Sequence, residues 1–404
     1  MPARWLVTVA VLVALATIAF ARSSGGAAPG STERVSLDGA GVEGNAFSGY
    51  PAISADGRFV SFSSDATNLV SGDTNLAPDI FVHDRQTGST ERMSVDGAGS
   101  QANGSSYEPA IGADGRFVAF SSMASNLVAG DTNGTRDVFV HDRQTGATER
   151  VNVDSAGSEA NAAAFFPAIS GDGRFVAFSS DAGNLAPGDT NPASDVFVRD
   201  RQTGTTERAS VNSAVDGAVG ASYAPAVSSD GRFVAFTSAA SNLVPADANG
   251  TTDIFVRDRQ AGTTERASLN SAGSEGNGAS DESAVSSDGR FVTFRSLSSN
   301  LVAGDTNSVD DVFLHDRQTG TTGRMSVDSA GAQGNATSRV PAVSGDGRFV
   351  AFRSLASNLV AADTNGAIDV FVHDSQTGIT VRVSVDSAGS EGSGPSDEPA
   401  VSGD

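Results

Sequence analysis

The 404-residue sequence contains no cysteine and no lysine. Without thiols there is no disulfide framework, no cysteine-based zinc or iron–sulfur site, and no lipid-modified cysteine near the N-terminus. All 26 basic side chains are arginines, and against 48 acidic ones they leave a formal net charge of -22. Such a field opposes nucleic acid and anionic lipid, and it favours a cationic partner, the simplest being a metal ion. Helical periodicity is missing as well. No stretch beyond the N-terminal apolar run keeps i, i+3, i+4 spacing for three turns, and none is long and apolar enough to span a bilayer. Nor is there a Gly-x-Ser-x-Gly nucleophile elbow, the motif that presents the serine of an α/β-hydrolase domain.

The N-terminus has the composition of an export signal. Arg4 precedes an apolar run from Trp5 to Phe20 that only Thr8 and Thr17 interrupt, and Ala19-Phe20-Ala21 places small residues where a signal peptidase reads them. The expected organisation is a signal peptide over 1–21, a linker over 22–31 and one repeat domain over 32–404, in a secreted or cell-envelope protein with no membrane contact beyond the signal segment.

Asp-Gly-Arg-Phe-Val begins at Asp56, Asp114, Asp172, Asp230, Asp288 and Asp346, each 58 residues after the last, and Asp404 opens the next interval. A fixed period identifies one supersecondary unit used many times. In the second unit, Glu108 to Gly112 reads as a short strand, and Asp114-Gly115 as a tight hairpin turn. Arg116 to Ser122 and Asp137 to Asp142 are β-rich runs, and Thr148 to Asp154 alternates apolar and polar residues. The middle runs, RFVAF and DVFV, are apolar on consecutive residues, so both their faces must be buried. Four-stranded antiparallel units whose faces each meet a neighbour are propeller blades, which predicts an all-β β-propeller.

The pattern Asp-Gly-Arg-apolar-apolar-Ala-Phe, then Asp-Ile/Val-Phe-Val-x-Asp, then Thr-Gly resembles the WD-repeat-like propeller unit of the TolB family over residues 32 to 404. The resemblance implies the fold. Two features depart from it: the slot before Asp-Gly holds Ala, Gly or Ser where the family usually has Pro, and the unit is longer than a typical blade. The α/β domain that TolB places before its propeller has no counterpart in this sequence, so function does not carry over. At the ends, Thr32 to Asp38 reads as a lone outer strand and Pro399 to Ser402 as a lone inner strand. Six complete blades plus parts of a seventh are therefore expected, cut from a longer parent.

Antiparallel order puts the tight turns at one end of every blade and the long loops at the other, where binding usually sits. These loops are rich in Ser, Gly, Asn, Asp and Glu, which predicts a polar, acidic face unsuited to apolar ligands or stacked sugars. Each two-to-three loop carries Asp-x-Asn-x-x-x-Asp: Asp73, Asn75, Asp79; Asp131, Asn133, Asp137; Asp189, Asn191, Asp195. The remaining units give Asp247, Asn249, Asp253; Asp305, Asn307, Asp311; and Asp363, Asn365, Asp369. Oxygen ligands at positions 1, 3 and 7 fit a calcium loop, whereas turn-capping by Asx side chains explains the same residues without a metal. Calcium is the one cofactor this suggests.

His83, His141, His315 and His373 share one slot that holds Arg199 and Arg257 in two other units, and the expected role is an exposed polar residue closing the third strand. Residues that break the repeat, among them Tyr107, Phe165, Phe166, Arg136 and Arg339, look scattered. No catalytic residue is legible. The reading is a secreted, non-catalytic binding or scaffold module for an extracellular protein or glycan, with calcium as a stabiliser. The rival is a polymer-active hydrolase or lyase with a cleft at the propeller axis. An axis lined by repeated residues favours the scaffold, and one lined by residues unique to a blade favours the enzyme.

Overall fold

The computed structural model describes residues 31–403, so the signal segment and most of the linker lie outside the described residues. Within that range the chain forms six four-stranded antiparallel sheets, each in sequential strand order, and no helix. In blade 2 the strands are Ser106–Ile111, Phe117–Ser122, Asp137–Asp142 and Ala147–Arg150. The second and third strands coincide with the sequence expectation almost residue for residue. The fourth is shorter than expected, ending at Arg150, and Val153 makes only an isolated bridge to Glu159.

The middle strands are buried on both faces, as their unbroken apolar runs require. A stacked pair of phenylalanines, Phe120 and Phe139 in blade 2, stands at the heart of each blade with ring centroids 5.8 to 6.0 Å apart. Each ring is fully buried and contributes about 2–3 kcal/mol by burial. The cores lie between blades: Val138 and Val140 of blade 2 cluster with Val176, Phe178 and Phe197 of blade 3.

The inner strands form the wall of a central axis, and backbone hydrogen bonds link their ends around it. Ala55 N donates to Ala113 O (3.0 Å), Ala113 N to Gly171 O (2.8 Å), Gly171 N to Ser229 O (2.9 Å), and the series runs on through Ser287 to Gly345. Because each of these residues precedes an Asp-Gly turn, all six turns sit at one end of the axis. Every long loop is at the other end.

The expected seventh blade is not present as a sheet, since neither terminal segment forms a strand among the described residues. Both segments nevertheless repeat the contacts of their slots. Gly403 N donates to Ala55 O (3.1 Å), and Thr32 Oγ1 donates to Val385 O (2.6 Å) as Thr148 Oγ1 does to Val95 O (2.5 Å). The termini thus lie between blade 6 and blade 1.

Candidate functional site at the axial mouth

Each inner strand is bulged near the long-loop end, where its register against the second strand slips, as between Tyr107 and Ala110. The third residue of the strand takes the strain. Tyr50, Glu108, Phe166, Ala224, Glu282 and Val340, with Glu398 in the C-terminal segment, all have φ between 51° and 56°. A non-glycine residue in this left-handed region costs on the order of 1 kcal/mol or more, and such strain concentrates at functional sites.

These positions and the ones just before them are where the repeat fails. Read around the axis, the pairs are Gly49-Tyr50, Tyr107-Glu108, Phe165-Phe166, Tyr223-Ala224, Asp281-Glu282, Arg339-Val340 and Asp397-Glu398. The protein has three tyrosines, and all three are here. The residues that looked scattered therefore converge on one mouth, because the ring brings the same slot of every blade to the smallest radius. The sequence did carry a signal for this: two adjacent columns vary around the ring just before a repeated Pro-Ala-Ile or Pro-Ala-Val (Ser-Ala-Val in blade 5).

The mouth has two unlike halves. Blades 1 to 4 supply an aromatic arc in which Tyr50 and Phe166 are 44% and 43% exposed, and Phe165 meets Phe166 edge to face at 5.4 Å. Arg136 lies over the Tyr107 ring (5.5 Å to its centroid) and 3.6 Å from Glu108. Blades 5 and 6 and the C-terminal segment supply an ionic arc. Arg295 contacts Asp281 and donates to Asp310 (2.7 Å), Arg339 Nε donates to Asp310 (2.6 Å), and Arg353 contacts Asp397. Counting Glu108, Glu282 and Glu398, the mouth sets six carboxylates against four guanidiniums, a surplus of two negative charges. The expectation of a polar, acidic face unsuited to apolar ligands or stacked sugars is corrected at the mouth: polar loops surround it, but the inner strands line it with exposed aromatic rings.

Hydrogen bonds tie neighbouring blades at this level. Glu398 accepts from Tyr50 N (2.5 Å), Glu108 from Phe166 N (2.9 Å) and Glu282 from Val340 N (2.8 Å). Burial pushes the Asp281 carboxyl up to about 6; Arg295 opposes the rise, and Glu282 and Asp310 add to it. Burial also raises Glu398, with Asp397 adding repulsion. The Tyr50 phenol is raised by burial and then by Glu398 and Glu108, which places both carboxylates in its field.

The eighteen loop residues expected to hold calcium form six equivalent clusters, each already containing a cation. One arginine of the fourth strand lies 3.1 to 3.6 Å from both aspartates: Arg92 beside Asp73 and Asp79, Arg150 beside Asp131 and Asp137, Arg208 beside Asp189 and Asp195. Arg266 likewise serves Asp247 and Asp253, Arg324 serves Asp305 and Asp311, and Arg382 serves Asp363 and Asp369. The asparagines (Asn75, Asn133, Asn191, Asn249, Asn307 and Asn365) turn their amide nitrogen to the second aspartate at 2.9 to 3.2 Å. Their oxygen accepts from the backbone N–H two residues on, as Asn133 does from Thr135 (2.9 Å), which is an Asx turn. Three clusters gain a third carboxylate on the arginine, Glu159, Glu275 and Glu391, and among the described residues Glu275 beside Asp247 and Asp253, and Glu391 beside Asp363 and Asp369, bring ligand-type oxygens within 4.8 Å of one another.

The histidine slot is buried, which corrects the expectation of an exposed one: the four side chains are 4 to 6% exposed. His141 Nδ1 lies 2.9 Å from Thr148 Oγ1, and that hydroxyl gives its only hydrogen to Val95 O, so Nδ1 carries the proton and donates. Arg199 and Arg257 fill the same slot by reaching the carbonyls of Gly204 (2.7 Å) and Gly262 (2.9 Å).

No family model and no curated protein matches the sequence. Solved structures do resemble the fold. A structure from a study of two prolyl endopeptidases superposes with a TM-score of 0.52 at 12% identity, covering 87% of this chain and 44% of that one. An oligogalacturonate lyase in complex with manganese gives 0.50 at 11% identity, covering 82% of this chain and 75% of that one. TolB from Acinetobacter baumannii is also among the neighbours, as the repeat led one to expect, at a TM-score of 0.44 and 16% identity over 76% of this chain; this chain spans 59% of that protein's length. At these identities the likeness is one of fold: the chain is a β-propeller with TolB proteins among its structural neighbours.

Proposed function

We propose that this chain is an exported, non-catalytic β-propeller that binds an extracellular protein or glycan at the axial mouth of its long-loop face. The observation that carries the reading is the convergence on that mouth, on strained backbone, of two columns that vary around the ring, while the Asp-Gly turns, the Phe pairs and the acid pairs repeat. A bare scaffold has no use for three tyrosines and a surplus of two carboxylates over guanidiniums at its axis. Export rests on the N-terminal composition; among the described residues no helix is long and apolar enough to cross a membrane. Peptide and glycan arrays probed with the wild type and with Tyr107→Ser and Phe166→Ser variants test the reading. Ligands should be lost with either variant while the melting temperature holds, and ligands that ignore both variants would remove the mouth from consideration.

A second reading, an enzyme acting on an extracellular polymer, draws on Asp281, a carboxyl that only blade 5 and, with Asp397, the C-terminal segment place in this slot, raised toward neutrality among Tyr223 and Arg339. Against it, Arg295 engages both Asp281 oxygens, which is the geometry of a structural ion pair. Turnover of a polysaccharide by the wild type, abolished in Asp281→Asn, would decide for the enzyme.

Calcium at the long loops is proposed as a competitor of the internal arginines. An ion would have to displace a guanidinium that the same carboxylates hold, and the three-carboxylate clusters at Glu275 and Glu391 are the favoured places.

A further inference from the structure

We infer that the occupant of the axial mouth is a basic segment of a partner polypeptide, whose arginine or lysine side chain is received between Glu108 and Glu398 while its flanking side chains lie on Tyr50 and Phe166. The inference rests on the axial-mouth reading and adds the chemistry of the partner.

Charge decides the sign of the ligand. All four arginines of the mouth are engaged by carboxylates of the protein, so none is free to neutralise an anion. Glu398 has the opposite status. It is half-buried and raised by desolvation and by Asp397, against the opposing pull of the Tyr50 N–H and of Arg353; its hydrogen bond is to that backbone N–H, and Arg353 is itself held by Asp397. Glu108, in the next blade, adds its charge to the field at the same phenol and accepts from Phe166 N (2.9 Å); among the described residues its ion-pair partner is Arg136 at 3.6 Å. A cation entering over Tyr50 would relieve both carboxylates at once and meet a ring face, an arrangement that favours ammonium and guanidinium groups.

The surroundings suit a polypeptide. Tyr50 and Phe166 are large, rigid and nearly half exposed, as anchors at protein interfaces are. Phe47, Leu297 and Leu355 add apolar side chains 48 to 50% exposed on the same end of the ring. An acidic glycan would meet a chain of charge -22 and is steered away.

The test uses the full chain and defined probes: a blocked peptide Gly-Arg-Trp-Arg-Gly, its Glu-for-Arg counterpart, oligogalacturonate and a neutral xylo-oligosaccharide, each titrated by calorimetry at two salt concentrations. The basic peptide should bind more weakly as salt rises. Glu398→Gln and Glu108→Gln, which keep an acceptor for the backbone N–H, should each weaken it by about tenfold or more. Glu91→Gln, on an outermost strand, should leave it unchanged. Equal loss in all three variants, or in none, would mean diffuse attraction to an acidic protein and would overturn the inference. Failure of the basic peptide to bind would overturn it too. If a glycan binds instead and is lost with Phe166→Ser, the mouth remains the site and only its partner is wrong. If no probe depends on any mouth residue, the axial reading itself fails.

Discussion

A buried histidine is a pH-sensitive element, and here the same slot is used four times. Burial lowers the pKa of His83, His141, His315 and His373. In the unfolded chain each titrates near about 6.5. Above that pH both states are neutral and the group is without effect; below it the unfolded state takes up protons the folded state refuses, so stability falls as pH drops through about 6.5 and continues to fall toward the lowered folded value. Urea unfolding between pH 8 and pH 5 should show this decline, and His141→Arg should flatten part of it at a cost below about 1 kcal/mol, because Arg199 and Arg257 show how the slot accommodates a guanidinium. The loop clusters make a second residue-scale case. Arg266 is buried against Asp247, Asp253 and Glu275, and Arg266→Met would strand three carboxylates at a cost of about 3–5 kcal/mol. Melting curves of that variant should rise in calcium over chelator, while the wild type shifts much less. If the variant gains nothing, these clusters have no metal chemistry at all.

At the level of the element, the Asp-Gly turn does more than reverse the chain. Gly115 has φ +74°, and a Cβ there would fall 2.1 Å from the ring of Phe59 in the preceding blade, so the turn is also part of the blade interface. Gly130, in the long loop, has nearly the same φ (+78°) and open space around it. The pair separates backbone strain from packing. Gly130→Ala should cost about 1 kcal/mol, and Gly115→Ala about 1–3 kcal/mol more, read as the difference in denaturant midpoints at constant slope. Equal losses would show that the Phe59 ring moves aside.

For the whole molecule, the seam between blades 5 and 6 differs from the four that join blades 1 to 5. At the four seams from blade 1 to blade 5 an arginine after the third strand reaches the preceding blade, where it pairs with a glutamate and covers a phenylalanine ring: Arg143 lies 3.3 Å from Glu91 and 4.4 Å from the Phe59 centroid, and Arg317 lies 2.6 Å from Glu265 and 4.4 Å from that of Phe233. At the blade 5–6 seam both partners are gone together, replaced by Gly323 and Ser375, and Phe291 keeps only its own Arg290 (4.6 Å). Gly323→Glu with Ser375→Arg should stabilise the ring by about 0.5–1.5 kcal/mol, with the double exceeding the sum of the singles. Strict additivity would indicate that the pair does not form.

The 58-residue period, the strand positions and the ends at which turns and loops fall were legible because they depend on contacts close in sequence: an apolar run, an Asp-Gly turn, a Phe every unit. Partners far along the chain were not. The arginine that fills each acid pair lies 13 residues beyond the second aspartate, as Arg150 does beyond Asp137, and nothing in the loop announces it. The burial of the histidine slot was hidden too, since a polar residue at a strand end is exposed unless a neighbouring blade covers it. The mouth was least legible of all. Tyr50, Glu108, Phe166, Glu282 and Glu398 are spread over most of the chain, and as a linear series they are only irregularities in a repeat. Closure of the ring turns that translation into rotation, so the slot with the smallest radius gathers one residue from every blade, and only the tertiary structure decides which slot that is.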